Sequence, residues 1–271
     1  MTQNINIGLQ NRLLLALAEK NVSVFGFEEA KKILQANNSA TRHVLMNLTK
    51  KRRLQRIQRG KYLLIPESAG LELYWAESPW VVVPHLIDVY YVGFWTAMNY
   101  WDMTEQIPYT VFVATTKRKR NLEFGNQRFE FVTLSKKKFF GFVEQKASKK
   151  ESFNISSREK TIVDGLMHPE YCGGIVEVTK AMWNVRKELD WNSVSEMADN
   201  VKVNAVLKRL GYLLNVLEIE NSISQSVMNK TKQYPYQYLD PTTAKIKVTY
   251  SKEYGLIINR TKDELLSWME Y

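Results

Sequence analysis

The chain has one cysteine, three histidines and no long apolar run in its 271 residues. A lone Cys172 excludes an intrachain disulfide and any zinc site built on several thiolates. His43, His85 and His168 lie too far apart for the short spacings of a metal-binding motif. No stretch approaches the roughly 18 uninterrupted apolar residues that a spanning helix needs. The opening residues, MTQNINIGLQNR, lack the charged-then-apolar layout of a signal peptide. A cytoplasmic protein is therefore expected. Glycine-rich phosphate loops and a G-x-S-x-G elbow are missing too, so neither catalysis nor a cofactor is expected.

What is present is the composition of a folded protein: 45% hydrophobic, 12% aromatic, seven Trp. The length suits two domains of ordinary size. The net charge of +10 is unevenly spread. Residues 1–66 hold 12 Lys/Arg against 3 Asp/Glu, and residues 67–271 hold the remaining 26 against 25. Dense positive charge on a small module is the electrostatic footprint of a phosphate-backbone binder.

Residues 37–66, NNSATRHVLMNLTKKRRLQRIQRGKYLLIP, organise the rest. Ala40, Val44, Leu45 and Leu48 share one side of a helical wheel, opposite Ser39, Arg42, His43, Met46, Lys50 and Arg53. Asn38 or Ser39 can cap the helix start. A short hairpin follows, with Arg56, Gln58, Arg59 and Lys61 around a turn at Gly60. Upstream, Leu9, Leu13, Ala16 and Leu17 mark a first helix, and Phe27, Ala30, Ile33 and Leu34 a second. Three short helices and a basic hairpin make the inventory of a winged helix-turn-helix, whose third helix enters the major groove of double-stranded DNA. Arg42 and His43 would reach base edges or nearby phosphates, Lys50 and Arg53 the backbone. A plain solvated helix face remains the alternative, for His43 in particular.

The expected organisation is α+β: a winged helix over residues 1–66, a linker over 67–77 at PESAG, and a larger mixed α/β domain over 78–271. In that domain Pro84 opens a helix, and residues 90–101, apolar nearly all round, read as a buried helix. Strands are expected at 109–114, in a hairpin around Gly125 and Asn126, and at 139–143. Helices follow at about 158–167, 175–189 and 203–214, with Ser-x-x-Glu capping boxes at Ser156 and Ser193. Residues 221–237 read as polar surface, and 244–250 and 255–258 as strands. Cys172 reads as a small apolar residue at a helix–loop junction.

Two weaker signals complete the inventory. Glu144-Gln-Lys146, with Glu123 or Glu130 upstream, matches half of a metal-dependent nuclease site, the alternative to a pure binding protein. Basic clusters recur at Lys117, Arg118, Lys119 and Arg120, at 136–138 and at 146–150. They are either solvated loops or a second nucleic-acid surface. A regulator whose second domain senses a small ligand is a third possibility.

The order of features resembles the AbiEi antitoxins, the transcriptional-regulator half of AbiE abortive-infection (type IV toxin–antitoxin) systems. The matching stretches are RGKYLLIP, VYYVGFWTAMNYWDMTEQIPYTVFVATTKRKR, REKTIVDGLMHPEYCGGIVEV and LDPTTAKIKVTYSKEYGLIINR. They touch both domains and are landmarks of structure, not catalytic signatures. The resemblance implies a repressor that binds its own operon's promoter. It also implies a second domain that counteracts a nucleotidyltransferase-type toxin, without a stable complex, in phage defence.

Overall fold

The computed structural model describes residues 8–69, 77–124, 127–148, 151–219, 221–231, 235–243 and 246–270. Its described part is mixed α+β, with eleven α-helices and three sheets. The chain divides into two compact units.

Unit 1 begins with helix α1 (Leu9–Glu19), strand β1 (Val24–Gly26), helix α2 (Phe27–Leu34) and helix α3 (Asn38–Lys50). The hairpin of β2 (Leu54–Gln58) and β3 (Lys61–Leu64) follows, and β1 joins it to give an antiparallel sheet ordered β1-β3-β2. Gly60 supplies the positive φ (74°) of the hairpin turn. Leu13 and Leu17 of α1, Ala30 and Leu34 of α2, and Val44, Leu45 and Leu48 of α3 close over Phe25 and Leu54. Gln35 takes a left-handed conformation (φ 51°) that ends α2 and starts the turn into α3.

Four expectations shift here. The cap of α3 is Asn37, whose side-chain oxygen accepts from Ala40 N at 2.9 Å, so the start lies one residue before the expected caps. Thr41 is buried and Ala40 only half-buried, because the Thr41 hydroxyl satisfies itself on Asn37 O at 2.9 Å. Unit 1 also extends to Asp88 and takes in a segment around residues 146–153, beyond the boundary expected at Pro66. Helix α4 (Pro79–Leu86) accounts for this: it buries Val81, Val82, Val83 and Leu86, and its Trp80 stacks on Phe153 with ring centroids 4.8 Å apart. Pro79, not Pro84, occupies its first turn; Pro84 lies inside, where it cannot donate to Trp80 O. Most of the expected linker, 70–76, falls outside the described residues.

Unit 2 is built on a six-stranded sheet ordered β6-β7-β5-β4-β9-β8. Its strands are β4 (Tyr90–Val92), β5 (Thr110–Thr115), β6 (Leu122–Phe124), β7 (Gln127–Thr133), β8 (Phe142–Lys146) and β9 (Ser152–Ser156). The apolar run at 90–101 is not one helix but β4, Gly93 and helix α5 (Phe94–Tyr100). Burial on all sides makes strand and helix read alike there. The expected strand at 139–143 begins three residues later, because Phe139 packs on Tyr91 as the chain crosses toward β8. The turn expected at Gly125 and Asn126 lies outside the described residues.

Five helices then cover the core: α6 (Arg158–Met167), α7 (Ile175–Asn184), α8 (Trp191–Asn200), α9 (Asn204–Val216) and α10 (Asn221–Thr231). Neither expected capping box forms. Ser157 caps α6 and Asp190 caps α8, while Ser156 is buried in β9 against Thr161. Residues 221–231, expected as polar surface, form a helix that buries Ile223 and Val227, with Ser224 donating to Gly211 O at 2.9 Å. A small sheet of β10 (Gln237–Tyr238), β12 (Leu256–Ile258) and β11 (Thr249–Ser251) and the helix α11 (Lys262–Leu266) complete the chain. Of the strand expected at 244–250 only its end is paired, and 244–245 are outside the described residues. Cys172 is fully buried in the apolar core of this unit, as a small apolar residue would be.

Candidate nucleic-acid interface

Helix α3 buries Thr41, Val44, Leu45 and Leu48 and leaves Ser39, Arg42, His43, Met46 and Lys50 exposed. At α-helical geometry Ser39, His43, Met46 and Lys50 fall within an arc of about 60°, with Arg42 about 40° outside it. Arg42 stands over the Phe27 ring, 6.0 Å from its centroid, so the start of α2 braces it. The stripe thus carries two cations, a histidine, a hydroxyl and a thioether on a helix held from behind by an apolar seam. No acidic residue occurs in α3.

The hairpin presents two faces. Arg56 and Arg59 are exposed, and Arg56 Nε donates to Gln58 O at 3.4 Å, which stiffens the tip. Gln58 turns the other way, its amide donating to His85 O at 3.3 Å and Leu86 O at 3.5 Å at the end of α4. Lys61 pairs with both Gln58 and Gly26 across the sheet and is half-buried. Burial of His85 itself, and secondly the Lys61 charge, lower the His85 pKa. Gln58 and Lys61 therefore belong to the packing of the hairpin against α4 as much as to its surface.

Arg53 is drawn away as well. It follows α3, beyond the helix end, and its guanidinium meets Glu67 at 3.4 Å. It lines a groove of about 460 Å³ with Leu14, Ala18 and Ile65, and its Nε is buried without a partner among the described residues. Its place on the exposed side is taken by Arg52, which helical spacing alone does not single out. A left-handed turn at Arg52 (φ 55°) ends α3 and sets this side chain beside Arg56, Thr49 and Gln55 in a small cleft. The run of four cations, residues 50–53, was the available signal; which of them faces outward depends on this one backbone reversal. Lys51 is engaged with Gln10 at 2.9 Å.

In unit 2, Lys117, Arg118 and Arg120 are exposed on the loop after β5. Lys119 is half-buried, 5.2 Å from the Phe131 ring centroid, and that burial lowers its pKa. The nuclease-like set is not assembled. Glu144 sits on β8 at one edge of the sheet, whereas Glu123 and Glu130 sit on β6 and β7 at the other. Four strand spacings separate β7 from β8, about 19 Å. Among the described residues no group of three or more His, Cys, Asp and Glu side chains is placed to hold a metal ion.

The most buried polar constellation was invisible in the sequence. Lys160 and Asp164 pair within α6, and the Tyr91 hydroxyl donates to Asp164 Oδ2 at 2.9 Å and accepts from Lys160 Nζ at 3.1 Å. All three side chains are fully buried. Gly141 (φ 71°) passes so close that a Cβ there would lie 3.1 Å from Lys160 Cβ. Burial, reinforced by Asp164, pushes the Tyr91 pKa well above its ordinary value. With each polar atom answered by another, the set holds β4 to α6 and offers no open group to a ligand. Among the described residues, no helix is long and apolar enough to cross a membrane.

No protein-family model matches the chain, and no curated protein matches it in sequence. In fold it is similar to the crystal structure of the RV2827C protein from Mycobacterium tuberculosis, with a TM-score of 0.70. The likeness covers 98% of this chain and 96% of that one at 12% sequence identity, and at that identity it speaks for the fold alone.

Proposed function

We propose that unit 1 is a winged helix-turn-helix that binds double-stranded promoter DNA, with α2 and α3 as the helix pair and the β2–β3 hairpin as the wing. The observation that carries it is the exposed stripe of Ser39, Arg42, His43 and Lys50 on α3, free of acidic residues, together with the exposed Arg52, Arg56 and Arg59 in the segment that follows it. A helix so placed can enter a major groove while the wing cations meet phosphate. The protein then acts as a repressor of its own operon. Its second unit serves as an antitoxin against a nucleotidyltransferase-type toxin in an abortive-infection system, acting in the cytoplasm without a stable complex. That second half is supported by the resemblance to AbiEi antitoxins.

Titration of binding to promoter and scrambled duplexes against salt tests the first half. Arg42→Ala is expected to lower promoter affinity by the roughly 1–3 kcal/mol of a lost base contact while scrambled-duplex binding stays nearly unchanged. Equal loss on both duplexes would remove α3 as the reading element. Co-expression with a nucleotidyltransferase encoded beside this gene tests the second half: absence of growth rescue by the folded protein would refute it.

A further inference from the structure

Strands β5 and β7 run parallel in register, from Thr110 opposite Arg128 to Thr115 opposite Thr133. Both therefore end at the same rim of the sheet, where Leu134 N donates to Thr115 O at 2.8 Å. The chain leaving β5 cannot return directly, because β6 lies on the far side of β7. Residues 116–121 must pass across the end of β7, and Asn121 is tied down there by accepting from Phe131 N at 3.1 Å. The chain leaving β7 turns at once into a single 3-10 turn, Lys136–Lys138. Two basic runs that are separate in the sequence are thus gathered at one rim.

Lys117, Arg118, Arg120, Lys136 and Lys137 are all exposed there. Several cations elsewhere in this unit stand beside acids: Lys180 with Glu105, Arg158 with Glu188, Lys202 with Asp199, Arg260 with Glu264. Among the described residues none of the five rim cations forms an ion pair. Lys119, spent on the Phe131 ring, acts as a packing residue that anchors the first loop. Like charges crowded on one rim repel one another, and repulsion of this kind is relieved by a polyanion. The carboxyl ends of parallel strands are also where open α/β sheets receive their ligands.

We propose that this rim is a second nucleic-acid surface, which grips a phosphate backbone independently of α3. Among the described residues the rim offers no α-helix or two-stranded ribbon to enter a groove, only point charges on loops and one 3-10 turn. Recognition there is therefore by backbone charge and insensitive to base sequence. This site stands on unit 2 alone and does not require the promoter-binding reading of unit 1.

The test uses the full chain carrying Lys117→Gln, Arg118→Gln, Lys136→Gln and Lys137→Gln together. A control carries Lys180→Gln, Lys202→Gln, Lys252→Gln and Lys262→Gln, which removes the same charge from other parts of the unit. Affinities for a scrambled DNA duplex and for an RNA hairpin of equal length are measured across a salt series. The rim variant is expected to flatten the log–log salt slope by roughly three units on at least one of the two, as four lost phosphate contacts require. The control should move it by less than one. Loss on the duplex, on the hairpin or on both identifies which backbone the rim takes. Unchanged slopes on both, or equal loss in the control, would overturn the proposal. Should the fourfold variant melt early, Lys117→Gln with Lys136→Gln gives the same reading with about half the slope change. Because Arg42→Ala alters promoter discrimination and the rim variant alters only the salt slope, either interface can fail without the other.

Discussion

Lys160 and Asp164 lie one turn apart on α6 as an ion pair with both side chains fully buried, and the Tyr91 hydroxyl bridges them. An i,i+4 pair of this kind on a helix surface would contribute only a few tenths of a kcal/mol. Inside a protein the balance is different, because each charge depends on the other for its solvation. Asp164→Ala is expected to cost about 3–5 kcal/mol, since it strands a buried ammonium. The triple variant Tyr91→Phe, Lys160→Met, Asp164→Leu removes all the polar atoms at once and should recover at least half of that loss. Urea unfolding of both variants decides it; a triple variant as unstable as Asp164→Ala would show that shape, not charge, is what the trio supplies.

Stability should fall at alkaline pH for a stated reason. Burial raises the Tyr91 hydroxyl and the Cys172 thiol well above their ordinary values of 10.0 and 9.0. Both groups stay protonated in the folded chain where the unfolded chain has begun to lose the proton. Their contribution is complete below pH 9 and declines as pH rises beyond it. Cys172→Ala should flatten the first part of that decline at a cost of about 1–2 kcal/mol at neutral pH. Thermal melts of both proteins between pH 7 and 10.5 provide the measurement, and identical pH profiles would contradict the assignment.

The cap of α3 gives a sharper local prediction. Asn37→Ala removes the acceptor for Ala40 N and should destabilise unit 1 by about 1 kcal/mol. Asn38→Ala, one residue inside the helix and exposed, should change little. If Asn38→Ala proved the more damaging in a denaturant series, the helix would begin one residue later than described.

The two faces of the hairpin should separate in binding experiments. Arg59→Ala is expected to weaken binding to promoter and scrambled DNA alike and to reduce the salt slope by roughly one unit. Gln58→Ala should leave that slope unchanged, because its amide serves the α4 carbonyls. It should instead lower the melting temperature. A slope change in Gln58→Ala would put this side chain on the DNA.

Periodicity made much of this fold legible. α1, α2, α3 and α9 were readable from apolar spacing and strand β5 from a short apolar run, whereas α6, buried on nearly every side, was signalled by the Ser and Glu at its start. β1 was not: three residues carry no period, and only their pairing with β3 defines them. The split at Gly93 escaped for the opposite reason, a stretch apolar in every direction. The caps at Ser157 and Asp190 were masked by Ser-x-x-Glu spacings nearby that fit the same pattern. At the candidate interface, Ser39, Arg42, His43, Lys50, Arg56 and Arg59 lie exposed where the sequence put them. Arg53 and Gln58 turn elsewhere because Glu67 and α4, distant or unremarkable in sequence, compete for them. The convergence of the two basic loops was beyond reach of spacing, since it follows from the strand order β6-β7-β5.

The stacking of Trp80 on Phe153 also sets a timetable for the nascent chain. The helices and hairpin that precede residue 66 hold a core of their own and can close as soon as they leave the ribosome. Helix α4 can already bond to Gln58, but the ring that covers Trp80 has yet to be made. Synthesis at about 5–20 residues per second leaves that aromatic face waiting for several seconds. For that interval the growing protein carries a sticky apolar helix beside a completed basic module.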